Sequence, residues 1–134
     1  MSQWTHVNAA IRFDGLPGIS KQPNLGTTVD YKDAQEIWEA CDVPCGSEGS
    51  LKFKVTVVGE GLVWVNAHIW GDLRDYDNEQ EIILYLERIC KGQHVRSGIA
   101  EIGIEYQHTT IYRYEPDTGV WILAYRKHMT KDAA

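Results

Sequence analysis

Apolar and polar side chains alternate over residues 4 to 13. Thr5, Val7, Ala9, Ile11 and Phe13 fall on one side, and Trp4, His6, Asn8, Ala10 and Arg12 on the other. A period of two is the signature of a half-buried strand. The same alternation returns at Leu51, Phe53, Val55 and Val57 against Lys52, Lys54 and Thr56, and again at Val63, Val65, Ala67 and Ile69 against Trp64, Asn66, His68 and Trp70. The turn residues Gly59-Glu-Gly61 between these two runs predict a hairpin. Ala100, Ile102 and Ile104 mark a further strand within Ile99 to Tyr106. Two more strand-like runs flank the turn Glu115-Pro-Asp-Thr-Gly119, the last of them Val120 to Arg126.

Two stretches follow a helical period instead. From Asp30, a predicted N-cap, Ala34, Ile37, Trp38 and Cys41 share a face and predict a short helix ending before Pro44. Asp77 with Gln80 three residues on has the form of a capping box. Ile82, Ile83, Leu86, Ile89 and Cys90 then line one face of a second helix ending near Gly92. Residues 15 to 30, punctuated by Gly15, Pro17, Gly18, Pro23, Asn24 and Gly26, read as an irregular loop. The resulting order β, α, β, β, α, β predicts an α+β ferredoxin-like sandwich: an antiparallel sheet with two helices on one face and an extra C-terminal strand or hairpin. At 134 residues and 43% hydrophobic content the chain fits a single domain spanning 1–134.

If helices cover the Val7, Ile11, Val65 and Ile69 side, the opposite side carries Trp4, His6, Asn8, Arg12, Trp64, Asn66, His68 and Trp70. A sheet face with three tryptophans predicts a covered or binding surface: the seam of a homo-oligomer, a seat for the C-terminal hairpin, or a platform on which a base stacks while Arg12 holds phosphate. Thirteen basic against nineteen acidic side chains give a net charge of -6. That field disfavours long nucleic acid as a partner, yet leaves room for a small phosphate-bearing ligand held by a few local donors. No apolar run is long enough for a transmembrane helix, and the N-terminus lacks the pattern of a secretory signal. The three cysteines, Cys41, Cys45 and Cys90, are too few for a disulfide framework. A cytoplasmic protein is expected.

The chemical motifs are sparse. Cys41-x-x-x-Cys45 is half of a tetrahedral ligand set with no second half, so no metal is expected. The histidines are scattered, with His6 and His68 alone expected as neighbours, and Ser47 and Ser50 lie outside any nucleophile elbow. The Gly46 to Ser50 loop has the composition of an ordinary turn and, alternatively, of an anion-binding nest. The strand-to-helix corner from Ile69 to Ile83 gathers Asp72, Arg74, Asp75 and Asp77. Arg74 there lowers the carboxylate pKa values, which disfavours a general acid. Arg74 and Arg96, both expected at helix–strand corners, are candidate phosphate ligands because a guanidinium binds phosphate in a bidentate fork. The candidate ligand-binding set is therefore Trp4, Arg12, Ser47, Ser50, Trp64, Trp70, Arg74 and Arg96, with no catalytic residue, metal or cofactor.

Three segments carry a resemblance. Trp4-Thr-His-Val with Ile11-Arg-Phe-Asp14, Gly46-Ser-Glu-Gly-Ser-Leu51, and Gly71-Asp-Leu-Arg-Asp-Tyr-Asp with the following Glu-Ile-Ile are similar to a family of small accessory proteins encoded by phages and prophages of Gram-positive bacteria. The chain departs from that pattern at Cys45, where that family has Met before the glycine. The resemblance implies a non-enzymatic protein acting in the host cytoplasm. It would sequester a nucleotide-derived immune signal, such as a cyclic nucleotide or an ADP-ribose derivative. The alternative it implies is an acidic protein-binding inhibitor of a host defence complex such as a CRISPR or restriction nuclease.

Overall fold

A computed structural model describes residues 2–15, 43–58, 63–91 and 95–128. Its frame is a six-stranded sheet of β1 (Trp4–Gly15), β2 (Lys52–Val58), β3 (Val63–Arg74), β4 (Val95–Ile104), β5 (His108–Glu115) and β6 (Val120–His128), with a single helix, α1 (Glu79–Cys90), among the described residues. The strands lie in the order β2-β3-β1-β4-β5-β6, and every neighbouring pair is antiparallel. The two longest strands, β1 and β3, pair from Trp4↔Arg74 to Gly15↔Val63.

Alternation sets which way each strand faces. Thr5, Val7, Ala9, Ile11 and Phe13 of β1 are buried, as are Ala67, Ile69 and Leu73 of β3 and Ala100, Ile102 and Ile104 of β4. On α1 the buried stripe is Ile82, Ile83, Tyr85, Leu86, Ile89 and Cys90. Helix and sheet share one hydrophobic core, in which each fully buried aliphatic side chain stabilises the fold by about 1.5–3 kcal/mol. A buried Thr5 hydroxyl donates to the Tyr76 carbonyl, which ties the start of β1 to the segment leading into the helix.

The ferredoxin-like βαββαβ expectation is overturned. Residues 108–128 contribute two full strands rather than an appendage, because Thr, Ile, Tyr, Trp and Val there favour the pleated surface. A six-stranded sheet is about 24 Å between its edges. One 12-residue helix, about 18 Å long and 10 Å wide, is too narrow to cover it, and its first turn is tied to β5 and β6 through Glu79. The helix expected from Asp30 to Cys41, the loop from 15 to 30 beyond Gly15 and the Gly59–Gly61 turn lie outside the described residues. The N-cap also differs from the expected Asp77–Gln80 box: Asn78 caps, its side-chain oxygen accepting from the Glu81 N–H at 3.2 Å. The helix stops at Cys90, short of Gly92.

The β5–β6 hairpin closes as the sequence pattern requires. Gly119 sits at φ +74, and its N–H donates to the Glu115 carbonyl at 2.8 Å. A left-handed residue at that point suits glycine because no Cβ meets the preceding carbonyl. Gly98 serves a different need. A Cβ there would lie 2.7 Å from the Trp121 ring, so the missing side chain is what seats that buried indole against β4.

Candidate functional site

With the helix on one side, the other side of the sheet carries no further described element. Register determines what stands beside what. Lys52 of β2 pairs with Trp70 of β3, Trp70 with Asn8 of β1, and Asn8 with Glu101 of β4. The next outward row runs Lys54, His68, Ala10, Ile99 and Arg113. At the centre His68 and Trp70 stack, with ring centroids 4.8 Å apart and planes 26° from parallel. The His68 Nε2 lies 2.8 Å from the Asn8 side-chain oxygen, which fixes the imidazole.

Three hollows meet at this stack. One of about 370 Å³ is lined by His6, Asn8, His68, Trp70, Asp72 and Glu101. A second, of about 630 Å³, lies on the other side of Trp70 against Cys45, Ser50, Lys52 and Lys54. The third, of about 530 Å³, adjoins His68 and runs past Arg12, Asn66, Ser97, Ile99 and Arg113. Trp70 is thus a wall common to the first two and His68 a wall common to the first and third. The aromatic pair stands between shallow neighbouring hollows, cationic along β2 and rich in hydrogen-bonding groups over β1 and β4.

His6 marks the carboxylate-rich end. Its Nδ1 is 2.6 Å from Asp72 and its Nε2 is 3.3 Å from Glu105. The hydrogen bond to Asp72 raises the imidazole pKa above 6.5; modest burial opposes the rise and Glu105 adds to it. The pair therefore favours a charged His6, bridging β1, β3 and the turn after β4.

The residues expected from sequence are distributed rather than gathered. Trp70 stands between the first two hollows, and Ser50 lines the β2 side with it. Arg12 lines the far hollow. Trp4 is half-buried at the opposite end of β1, its backbone N–H donating to the Glu105 carboxylate at 3.0 Å. It pairs with Arg74, four residues along β3 from Trp70 and hence about 13 Å away. Trp64 pairs with Asp14 at the other end of the ribbon, and its side chain lies outside the described residues. The contiguous tryptophan cluster expected from alternation is not formed by Trp4 and Trp70.

Arg74 and the Gly46 to Ser50 loop do meet, but they satisfy one another. The Arg74 guanidinium donates to Glu48 at 2.8 Å and to the Ser2 hydroxyl at 2.9 Å. The Ser47 N–H donates to the Arg74 carbonyl and its hydroxyl to Asp75. The Gly46 N–H turns back to Gly49, and a Cβ on Gly46 would lie 2.5 Å from the Arg74 carbonyl oxygen. This loop is a clasp on the end of β3. Arg96 is exposed beside Val95, which pairs with Phe13; it is about 30 Å along β1 from Arg74, too far for one small ligand.

A second polar cluster lies on the helix side. Glu79, in the first turn of α1 and nearly buried, accepts from Tyr112 Oη at 2.5 Å and from Arg126 at 2.6 Å, and its other oxygen lies 3.1 Å from His108 Nε2. Thr110 accepts from Arg126 Nε at 2.9 Å. Burial pushes the Glu79 carboxyl up, but hydrogen bonds from Tyr112, Thr110 and His108, with the Arg126 charge, outweigh it and hold the pKa below 4.5. Burial and Glu79 together push the Tyr112 phenol up to about 12. With its donors committed to Glu79, the cluster anchors the helix start to β5 and β6. Sequence reasoning missed it because residues 79, 108, 112 and 126 show no short-range pattern; it missed Lys52, Lys54 and Glu101 because their relation to Trp70 depends on register.

Among the described residues no group of three or more His, Cys, Asp or Glu side chains is placed to hold a metal ion. Cys41 lies outside them, and the exposed Cys45 thiol donates to the Val43 carbonyl at 3.3 Å. No described helix is long and apolar enough to cross a membrane. Comparison with protein-family models, curated proteins and solved structures finds no match to this chain.

Proposed function

We propose that the open sheet face binds a nucleotide-derived small molecule and holds it without converting it. The observation that carries this reading is the His68–Trp70 stack, flanked by Lys52 and Lys54 on one side and by Asn8 and Glu101 on the other. A base stacks on Trp70, an interaction that contributes about 1–3 kcal/mol. Asn8 and Glu101 offer hydrogen bonds to its edge, and the two ammonium groups neutralise phosphate. Each side chain stands on a strand rather than a loop, which keeps the ordering cost of binding low.

Sequestration rather than turnover is favoured by the state of His6. An imidazole whose two ring nitrogens both face carboxylates, Asp72 and Glu105, has neither nitrogen free to take a proton from a ligand. The setting is the one that the resemblance to phage accessory proteins implies: the cytoplasm of a bacterial host, where the ligand is an immune signal such as a cyclic nucleotide or an ADP-ribose derivative. An acidic mimic has less support, since Asp72 and Glu105 turn to His6 and Glu79 is buried against Arg126.

Incubation with labelled cyclic dinucleotides, cyclic trinucleotides and cyclic ADP-ribose isomers, followed by release on heating, tests the reading. Recovery of an intact ligand is expected. Recovery of an altered one identifies an enzyme, and absence of binding across the panel overturns the proposal.

A further inference from the structure

The two edges of the sheet are built differently. β2, at one edge, places Lys52 and Lys54 on its open face, and charged side chains on an edge strand discourage pairing with another chain. β6, at the other edge, reads Val120-Trp-Ile-Leu-Ala-Tyr125 with no charge and no proline before Arg126. Apart from the buried Trp121, its large side chains are exposed, on both sides of the sheet. Ile122 and Tyr125 pair with Arg113 and Ile111 on the open face, while Leu123 pairs with Tyr112 on the helix face. Leu123 is 46% and Tyr125 56% exposed. A long apolar edge of this kind is a template for strand addition.

Charge identifies what adds to it. Beyond the apolar stretch, Lys127 is exposed at the end of β6 and Asp117 in the turn before it, while Arg126 and Glu115 are already paired within the chain, with Glu79 and Arg113. An antiparallel two-fold pairing of β6 with itself brings the basic end of each copy towards the acidic turn of the other. A parallel arrangement sets like charges together. The edge is therefore self-complementary in the sense that an isologous interface requires: apolar against apolar, and each end against its opposite.

We propose that β6 is the seam of a homodimer, in which it pairs antiparallel with β6 of a second copy and joins two six-stranded sheets into one. The seam lies at the opposite edge from β2, so the hollows around Trp70 stay open in both copies. The dimer presents two ligand sites on one continuous face. This inference does not depend on the ligand reading.

Sedimentation velocity at micromolar concentration tests it. The wild-type chain is expected at the dimer mass. The double substitution Leu123→Lys with Tyr125→Lys is expected at the monomer mass with its melting temperature retained, because both positions are half-exposed in the single chain. Trp70→Glu is expected to remain a dimer. If the double variant folds poorly, Lys127→Glu at an exposed position takes its place, and at low salt it should weaken the dimer about tenfold. A monomeric wild type, a dimeric double variant, an unchanged dimer affinity on Lys127→Glu, or separation of the copies by Trp70→Glu alone overturns the proposal.

Discussion

His68 and Trp70 stand two residues apart on one strand and stack with their ring centroids 4.8 Å apart. The contact holds one face of the indole against His68, and the Asn8 side-chain oxygen holds the imidazole in turn. Pre-ordering of this kind reduces the entropy lost on binding. His68→Ala should therefore weaken nucleotide binding without removing a direct ligand contact, by about 0.5–1.5 kcal/mol. Calorimetry with the panel nucleotide that binds measures this; an unchanged affinity would show that the stack does not prepare the site.

His6 gives the open face a pH dependence. Its folded pKa is raised above 6.5 by Asp72 and Glu105, so the stability its charged form contributes is fully present below 6.5 and is lost as the pH rises through the raised folded value. An NMR titration of the His6 ring should find that raised midpoint. Asp72→Asn should bring it back down. A midpoint unmoved by that substitution would remove Asp72 as the cause.

Glu79 has the opposite sign. Its carboxyl is held below 4.5 in the folded chain, so its contribution is present above 4.5 and is lost as the pH falls through the lower folded value. Glu79→Ala leaves Arg126 and Tyr112 without their shared acceptor and should cost about 3 kcal/mol at neutral pH. Urea denaturation measures it, and a loss within the error of the extrapolation would mean that the cluster does not anchor the helix.

Two positions test the core. Leu86 is fully buried, and Leu86→Ala should cost about 2–5 kcal/mol. Gly98→Ala should cost about 1–3 kcal/mol by overpacking, since the added methyl meets the Trp121 ring at 2.7 Å. Thermal melts of both variants that match the wild type would contradict the packing of β4 against α1 and β6.

Much of this was legible before the structure. Alternation placed Val7, Ile11 and Ile69 inside and His6, Asn8 and His68 outside, because period two states which face a residue takes. It does not state which residue stands beside it. That is why Lys52 and Glu101, flanking Trp70 through register, went unread, and why Trp4 and Trp70 were expected together although four residues of β3 separate them. The ferredoxin-like reading failed at residues 108–128. Their strand character was visible, but nothing local tells whether a hairpin covers a sheet or widens it. The Glu79 cluster was hidden for the same reason, its members meeting across strands and a helix. The corner at Arg74 was read as polar and is polar, yet its donors and acceptors are spent on Glu48, Ser47 and Asp75 rather than held for a ligand.

Trp70→Ala is the most direct test of the central claim that the open sheet face is the ligand site. Titration of the panel nucleotide into wild-type and variant protein, with a melting curve on each sample, is the measurement. The account predicts a loss of about 1–3 kcal/mol in binding free energy, about ten- to more than a hundredfold in affinity, with the melting temperature unchanged because Trp70 is only partly buried. Equal affinity of variant and wild type, at equal melting temperature, would contradict it.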